Sequence, residues 1–151
     1  MNSTVNLIFT VVGGALVLLT LYGAVTLNRK LFLSGLCFFS LLPIIGEGMA
    51  YSADTKALVH FIVLSVFVVQ LILAAPTNIS YDSTNVAASR LTGKIALALL
   101  VINVIGAVYI FCLKADVPVQ FGYYHIGLSL AIIYVIFKRM TATGGWVWTK
   151  S

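Results

Sequence analysis

Five apolar runs follow one another along the chain, at about 5–27, 31–51, 57–75, 94–113 and 121–137. Each reaches or approaches the roughly 20 residues that a helix needs to cross the hydrocarbon core of a bilayer. The pattern predicts an all-α integral membrane protein, a bundle of five transmembrane helices that makes a single membrane domain of residues 1–151. Met1-Asn2-Ser3-Thr4 places no Lys or Arg ahead of the first run, which is also too long for the apolar core of a signal peptide, so it is expected to stay as a helix. Asn28-Arg29-Lys30 reads as a tight turn into the second run. The one long connection, the inner-side loop 76–93, is mostly polar and uncharged and is expected as a loop or short interfacial segment.

Composition supports the same class. Hydrophobic residues make up 61% of the 151 and charged residues 9%, against about 25% charged in an ordinary soluble domain. So little charge cannot cover a surface in water, and the spans leave no room for an attached nucleotide-binding, kinase or hydrolase module. The net charge of +5 does not point to nucleic acid, because the nine cations stand in ones and twos at the ends of apolar runs.

Those cations set an orientation instead. Arg29, Lys30, Arg90, Lys94, Lys138, Arg139 and Lys150 fall on one side of a five-span arrangement, and Lys56 and Lys114 on the other. Lys and Arg near helix ends stay on the side from which insertion occurs, so the N-terminus is expected out and the C-terminus in. The expected location is a bacterial inner membrane or an organellar inner membrane, with lipid and other membrane protein subunits as partners. Cys37 and Cys112 lack CxxC spacing and read as small buried hydrophobes. Thr92-Gly93-Lys94 resembles the end of a phosphate-binding loop, but without the upstream glycine and strand it reads as a helix start. The sequon Asn78-Ile79-Ser80 falls on the inner side, where it cannot be used. Trp146, Trp148 and Lys150 are expected in the headgroup region, and Tyr51, Tyr109, Tyr123 and Tyr124 as an aromatic belt at the outer boundary.

An ionisable side chain inside a membrane costs about 2.5 to 3.5 kcal/mol at the centre on insertion scales, so each needs a partner or a job. The candidates are Glu47, His60 and His125. Counted from the ends of their runs, all three lie some 4 to 6 Å below the outer boundary at about 1.5 Å per residue, which groups them as one polar layer. Pro43 removes a backbone bond to Phe39, and Gly46 and Gly48 flank Glu47, so the outer end of the second span is expected to be bent or irregular. Gln70 and Asn103, deeper in their spans, read as amides bonding neighbouring helices. The small residues of the first span, Gly13, Gly14 and Gly23 among them, suggest contact with another helix of this chain or of a partner.

The span count and two intramembrane histidines resemble the membrane-anchor cytochrome b subunits of respiratory enzymes, which implies haem b. Diheme members of that group need four axial ligands, and this chain has two histidines. HExxH, a serine elbow and an intramembrane carboxylate pair are missing from the sequence, and no catalytic activity of its own is expected. The leading expectation is a small accessory or scaffold subunit of a larger membrane complex. The alternatives are a redox subunit binding one haem b or a quinone through His60, His125 and Glu47, a metal held by the same three, or a small transporter or channel. Transport would require Gln70 and Asn103 to join the outer polar layer on shared helix faces.

Overall fold

The computed structural model describes residues 3–54, 58–76, 86–112, 117–145 and 147–149. Lys56, Lys114, Asp116, Trp146, Lys150 and the sequon at 78–80 lie outside them. The described residues form five α-helices and a short 3₁₀ turn, with no strand among them: α1 Ser3–Val25, α2 Arg29–Ala53, α3 Leu58–Ala74, α4 Val86–Cys112, α5 Gln120–Thr141 and the turn Thr143–Gly145. Four of the helices are long and apolar enough to cross a membrane. The fifth, α3, has 17 residues, at the short end of what can span.

Neighbours in space follow the chain closely. Helix α2 packs on α1 and α3, α5 packs on α4 and α1, and α3 meets α4 along a much thinner contact. The bundle is therefore a ring, α3-α2-α1-α5-α4, with a weak seam where it closes. Its centre is filled by Leu36 and Phe39 of α2, Leu99 of α4, and Leu128 and Ile132 of α5, all without exposure. The outer surface carries large hydrophobes, and the interior holds polar groups among its apolar side chains. Leu18, Ile72 and Phe137 are each more than 60% exposed, whereas Thr20, Ser40, Gln70 and Asn103 are fully buried. Polar groups inside and large hydrophobes outside suit lipid as the surrounding solvent and support a membrane-embedded bundle.

The turn between α1 and α2 is built by two overlapping caps. Asn28 N–H donates to Gly23 O at 2.8 Å and Leu27 N–H to Ala24 O at 3.2 Å, the bond pair of a Schellman motif, which ties off the end of α1. The same Asn28 caps α2, its side-chain oxygen accepting from Leu31 N–H at 3.2 Å. The motif demands a left-handed residue just past the helix, and Leu27 fills it at φ 51°, where glycine is usual. Close approach of α1 and α2 comes from their glycines: a Cβ at Gly23 would sit 2.7 Å from Phe32 Cα, and one at Gly35 would sit 2.9 Å from Leu16 O. Gly13 and Gly14 face the Tyr124 ring of α5. The small residues of α1 are thus engaged within this chain.

Several expectations change. Helix α4 begins at Val86, so the connection after α3 is shorter than the expected 76–93, and Thr92-Gly93-Lys94 lies inside the helix. Helix α4 packs against the 3₁₀ turn that follows α5, a tertiary partner that the apolar run did not reveal. Trp148, expected among headgroups, is 7% exposed and packs on Phe32 with ring centroids 5.3 Å apart. It is drawn in because Thr149 N–H donates to Leu27 O at 2.9 Å, clasping the tail over the α1-α2 turn. Cys112, expected buried, is exposed at the C-terminal end of α4, and Cys37 is half-buried. Pro43 is accommodated inside an α2 that remains helical through Ala53.

Candidate functional site

The structure brings Glu47 and His60 together and puts His125 elsewhere. Glu47 Oε2 and His60 Nδ1 are 2.6 Å apart across the α2-α3 contact. The Glu47 side chain is 11% exposed and that of His60 31%, so the pair sits at the rim of the bundle. Tyr51 and Phe61 stack just beyond it at 5.7 Å.

His125 lies about two helical turns deeper. Its ring packs against Phe39 at 5.3 Å, edge to face, and against Phe67 at 5.5 Å. Phe39 is eight residues inward of Glu47 on α2, and Phe67 seven residues inward of His60 on α3, which corresponds to about 10 to 12 Å along the axis. Counting from span ends missed this offset because it assumed that all outer helix ends are level. The α4-α5 hairpin ends lower than the α2-α3 hairpin: Tyr124, four residues into α5, lies against Gly13 of α1 and donates to Thr10 O at 2.8 Å. That bond also removes Tyr124 from the expected belt.

What His125 meets is the pair of deeper amides. Asn103 Nδ2 donates to Leu99 O at 2.8 Å and to Gln70 Oε1 at 3.0 Å, and Asn103 Oδ1 stands 3.0 Å from His125 Nδ1. The direction of this relay is determined. Leu99 O can only accept, so the NH₂ end of Asn103 must face it, and Oδ1 is left to accept the Nδ1–H of His125. Gly106, one turn beyond Asn103, makes room for the imidazole, since a Cβ there would be 2.8 Å from Cε1 and Nε2. The Gln70, Asn103 and His125 side chains tie α3, α4 and α5 together, and the Gln70 bond crosses the weak seam. Gln70 Nε2 of this group, and Ser129 Oγ elsewhere on α5, are buried with no hydrogen-bond partner among the described residues.

The arrangement holds two polar sets of different character, a rim carboxylate-imidazole pair and a buried amide-imidazole relay. Between them stand Phe39 and Phe67, so the described side chains give no continuous polar line from one to the other. No group of three metal-ligating side chains forms among the described residues. The periodicity of the apolar runs placed Gln70 and Asn103 on helices but not in a common group with His125, since nothing in one helix's sequence states its register against the next. A search of protein-family models, of curated proteins and of solved structures finds no match to this chain.

Proposed function

We propose that the protein is a five-span membrane protein, N-terminus out and C-terminus in, that acts as a non-catalytic accessory or scaffold subunit of a larger membrane complex. The observation that carries this reading is the filled centre. Leu36, Phe39, Leu128 and Ile132 close the middle of the ring, and the intramembrane polar groups are used to bond helix to helix. A solute path would need those groups to line a passage, and a redox role would need an imidazole free to take iron or a quinone. Nδ1 of His60 faces Glu47 on α2 and Nδ1 of His125 faces Asn103 on α4, which leaves Nε2 of each ring as the nitrogen that could take iron. With the rings two turns apart in depth, one porphyrin held between them does not fit.

A fifth span is supported by the course of α3 beside α2. The two run together from the Tyr51-Phe61 contact at one end to the cavity that Leu33 and Leu73 both line at the other, so α3 runs beside much of the length of α2. Five spans put Arg29, Lys30, Arg90, Lys94, Lys138, Arg139 and Lys150 on the inner side. A bacterial inner membrane or an organellar inner membrane fits that bias. With the glycines of α1 engaged inside the bundle, partner subunits would meet large exposed side chains such as Leu18, Ile72 and Phe137.

Purification in mild detergent followed by mass spectrometry of what remains attached tests the role. Stoichiometric co-purification of other membrane subunits is expected, and a stable monodisperse single species would count against the subunit reading. Reporter fusions at residue 151 and within 77–85 test the topology, and both should read inside.

A further inference from the structure

Beyond this role, we infer that the weak α3-α4 seam binds one anionic phospholipid, its acidic headgroup held by Arg29 and Arg139 and an acyl chain entering the bundle between the two helices. At the basic end of the seam lies a cavity of about 270 Å³. Its walls are apolar, with Phe32 and Leu33 from α2, Leu73 from α3, Ala96 and Leu99 from α4, and Trp148 from the folded-back tail. Arg29 and Arg139 also line it, and no acidic side chain does among the described residues.

Both arginines are held in place by the fold. Arg29 is 6% exposed at the start of α2. The Arg139 guanidinium lies on the backbone of α4 at Gly93, where a Cβ would come within 2.6 Å of its Cζ. On the outer side of the same seam runs a shallow open groove lined by Val69, Leu73, Leu97, Val101 and Ile102, with Lys94 at its basic end. Leu73 belongs to both hollows, so they flank one helix contact and share a wall.

Charge complementarity selects the occupant. Cations at one end of an apolar slot match an amphiphile that is acidic at one end and hydrocarbon along its length, and a basic pocket between membrane helices is a recognised form of anionic headgroup site. A neutral phospholipid would match the walls but not the mouth, and a free phosphate the mouth but not the walls. The cavity borders the α3-α4 contact, the thinnest between neighbouring helices of the ring, so a lipid entering there need not pass through the bundle centre.

The test uses the full chain with Trp146→Phe, which leaves Trp148 as the one indole, reconstituted in phosphatidylcholine vesicles. A small fraction of phosphatidylglycerol brominated on its acyl chains should quench Trp148 well beyond an equal fraction of brominated phosphatidylcholine, and the excess should shrink with added salt. Arg139→Gln should weaken the apparent affinity for phosphatidylglycerol roughly fivefold. Ala96→Phe fills the cavity without touching a cation and should remove the excess quenching. Circular dichroism confirms that each variant is folded, and the comparison of the two lipids on the unsubstituted cavity stands whether or not the variants fold. Equal quenching by the two lipids overturns the proposal, as does undiminished quenching in folded Ala96→Phe. Loss of the excess on adding inorganic phosphate at constant ionic strength would assign the arginines to a free anion, and a polypeptide found seated on the seam would assign it to a protein; either also overturns the lipid.

Discussion

His125 gives its Nδ1–H to Asn103 Oδ1 at 3.0 Å, and the direction of that bond is dictated from the far end of the amide, where Asn103 Nδ2 faces the carbonyl of Leu99. One asparagine therefore satisfies groups on three helices. Asn103→Leu should leave both the imidazole donor and Gln70 Oε1 without their partner in a dry interior, at a cost of about 1 to 3 kcal/mol. Gln70→Leu removes one bond but also removes the unpartnered Nε2, and should cost under about 1 kcal/mol. Unfolding in mixed detergent measures both, and equal losses would mean that the relay is not organised around Asn103.

Two glycines should respond in opposite directions to the same added methyl group. At Gly106 a Cβ would strike the His125 ring at 2.8 Å, so Gly106→Ala should destabilise by about 1 to 3 kcal/mol. At Gly46 the nearest atom is 3.9 Å away, on Phe9, and Gly46→Ala should stabilise by up to about 1 kcal/mol through helix propensity. The sign of each change in thermal unfolding checks the pair.

Leu27 occupies a left-handed position with a side chain that disfavours it. Leu27→Gly should relieve about 1 kcal/mol, less whatever the Leu side chain contributes by packing, because the Schellman bonds and the Thr149 bond are all to the backbone. A lower melting temperature in Leu27→Gly would show that the packing of Leu27 outweighs the strain.

The Glu47-His60 pair should be weakly coupled despite its 2.6 Å separation, since His60 keeps nearly a third of its side-chain surface exposed. A double-mutant cycle with Glu47→Gln and His60→Gln should return less than about 1 kcal/mol. A larger value would mean that the rim is drier than its exposure implies.

The elements were legible in the sequence because length and hydropathy act within one helix. All five apolar runs are helices, and Asn28 is the turn. Depth was not legible across helices. His60 and His125 lie at similar distances from the starts of their apolar runs, yet the hairpin carrying His125 is seated lower, and only contacts such as Tyr124 with Thr10 reveal the offset. The tail failed for a related reason: Trp148 looks interfacial by type, and it is buried by a backbone bond to Leu27 that no local pattern announces.

That bond between Thr149 and Leu27 also has a consequence in time. The groups it joins are 122 residues apart, so during synthesis the first hairpin is complete long before the segment that clasps it exists. Until residues 147–149 arrive, the ring of Phe32 lacks its indole cover and the arginine end of the seam lacks one wall. All five helices are made while this corner is still open, and whatever occupies it has its easiest entry then. The corner is closed by a stretch of chain that belongs to no helix.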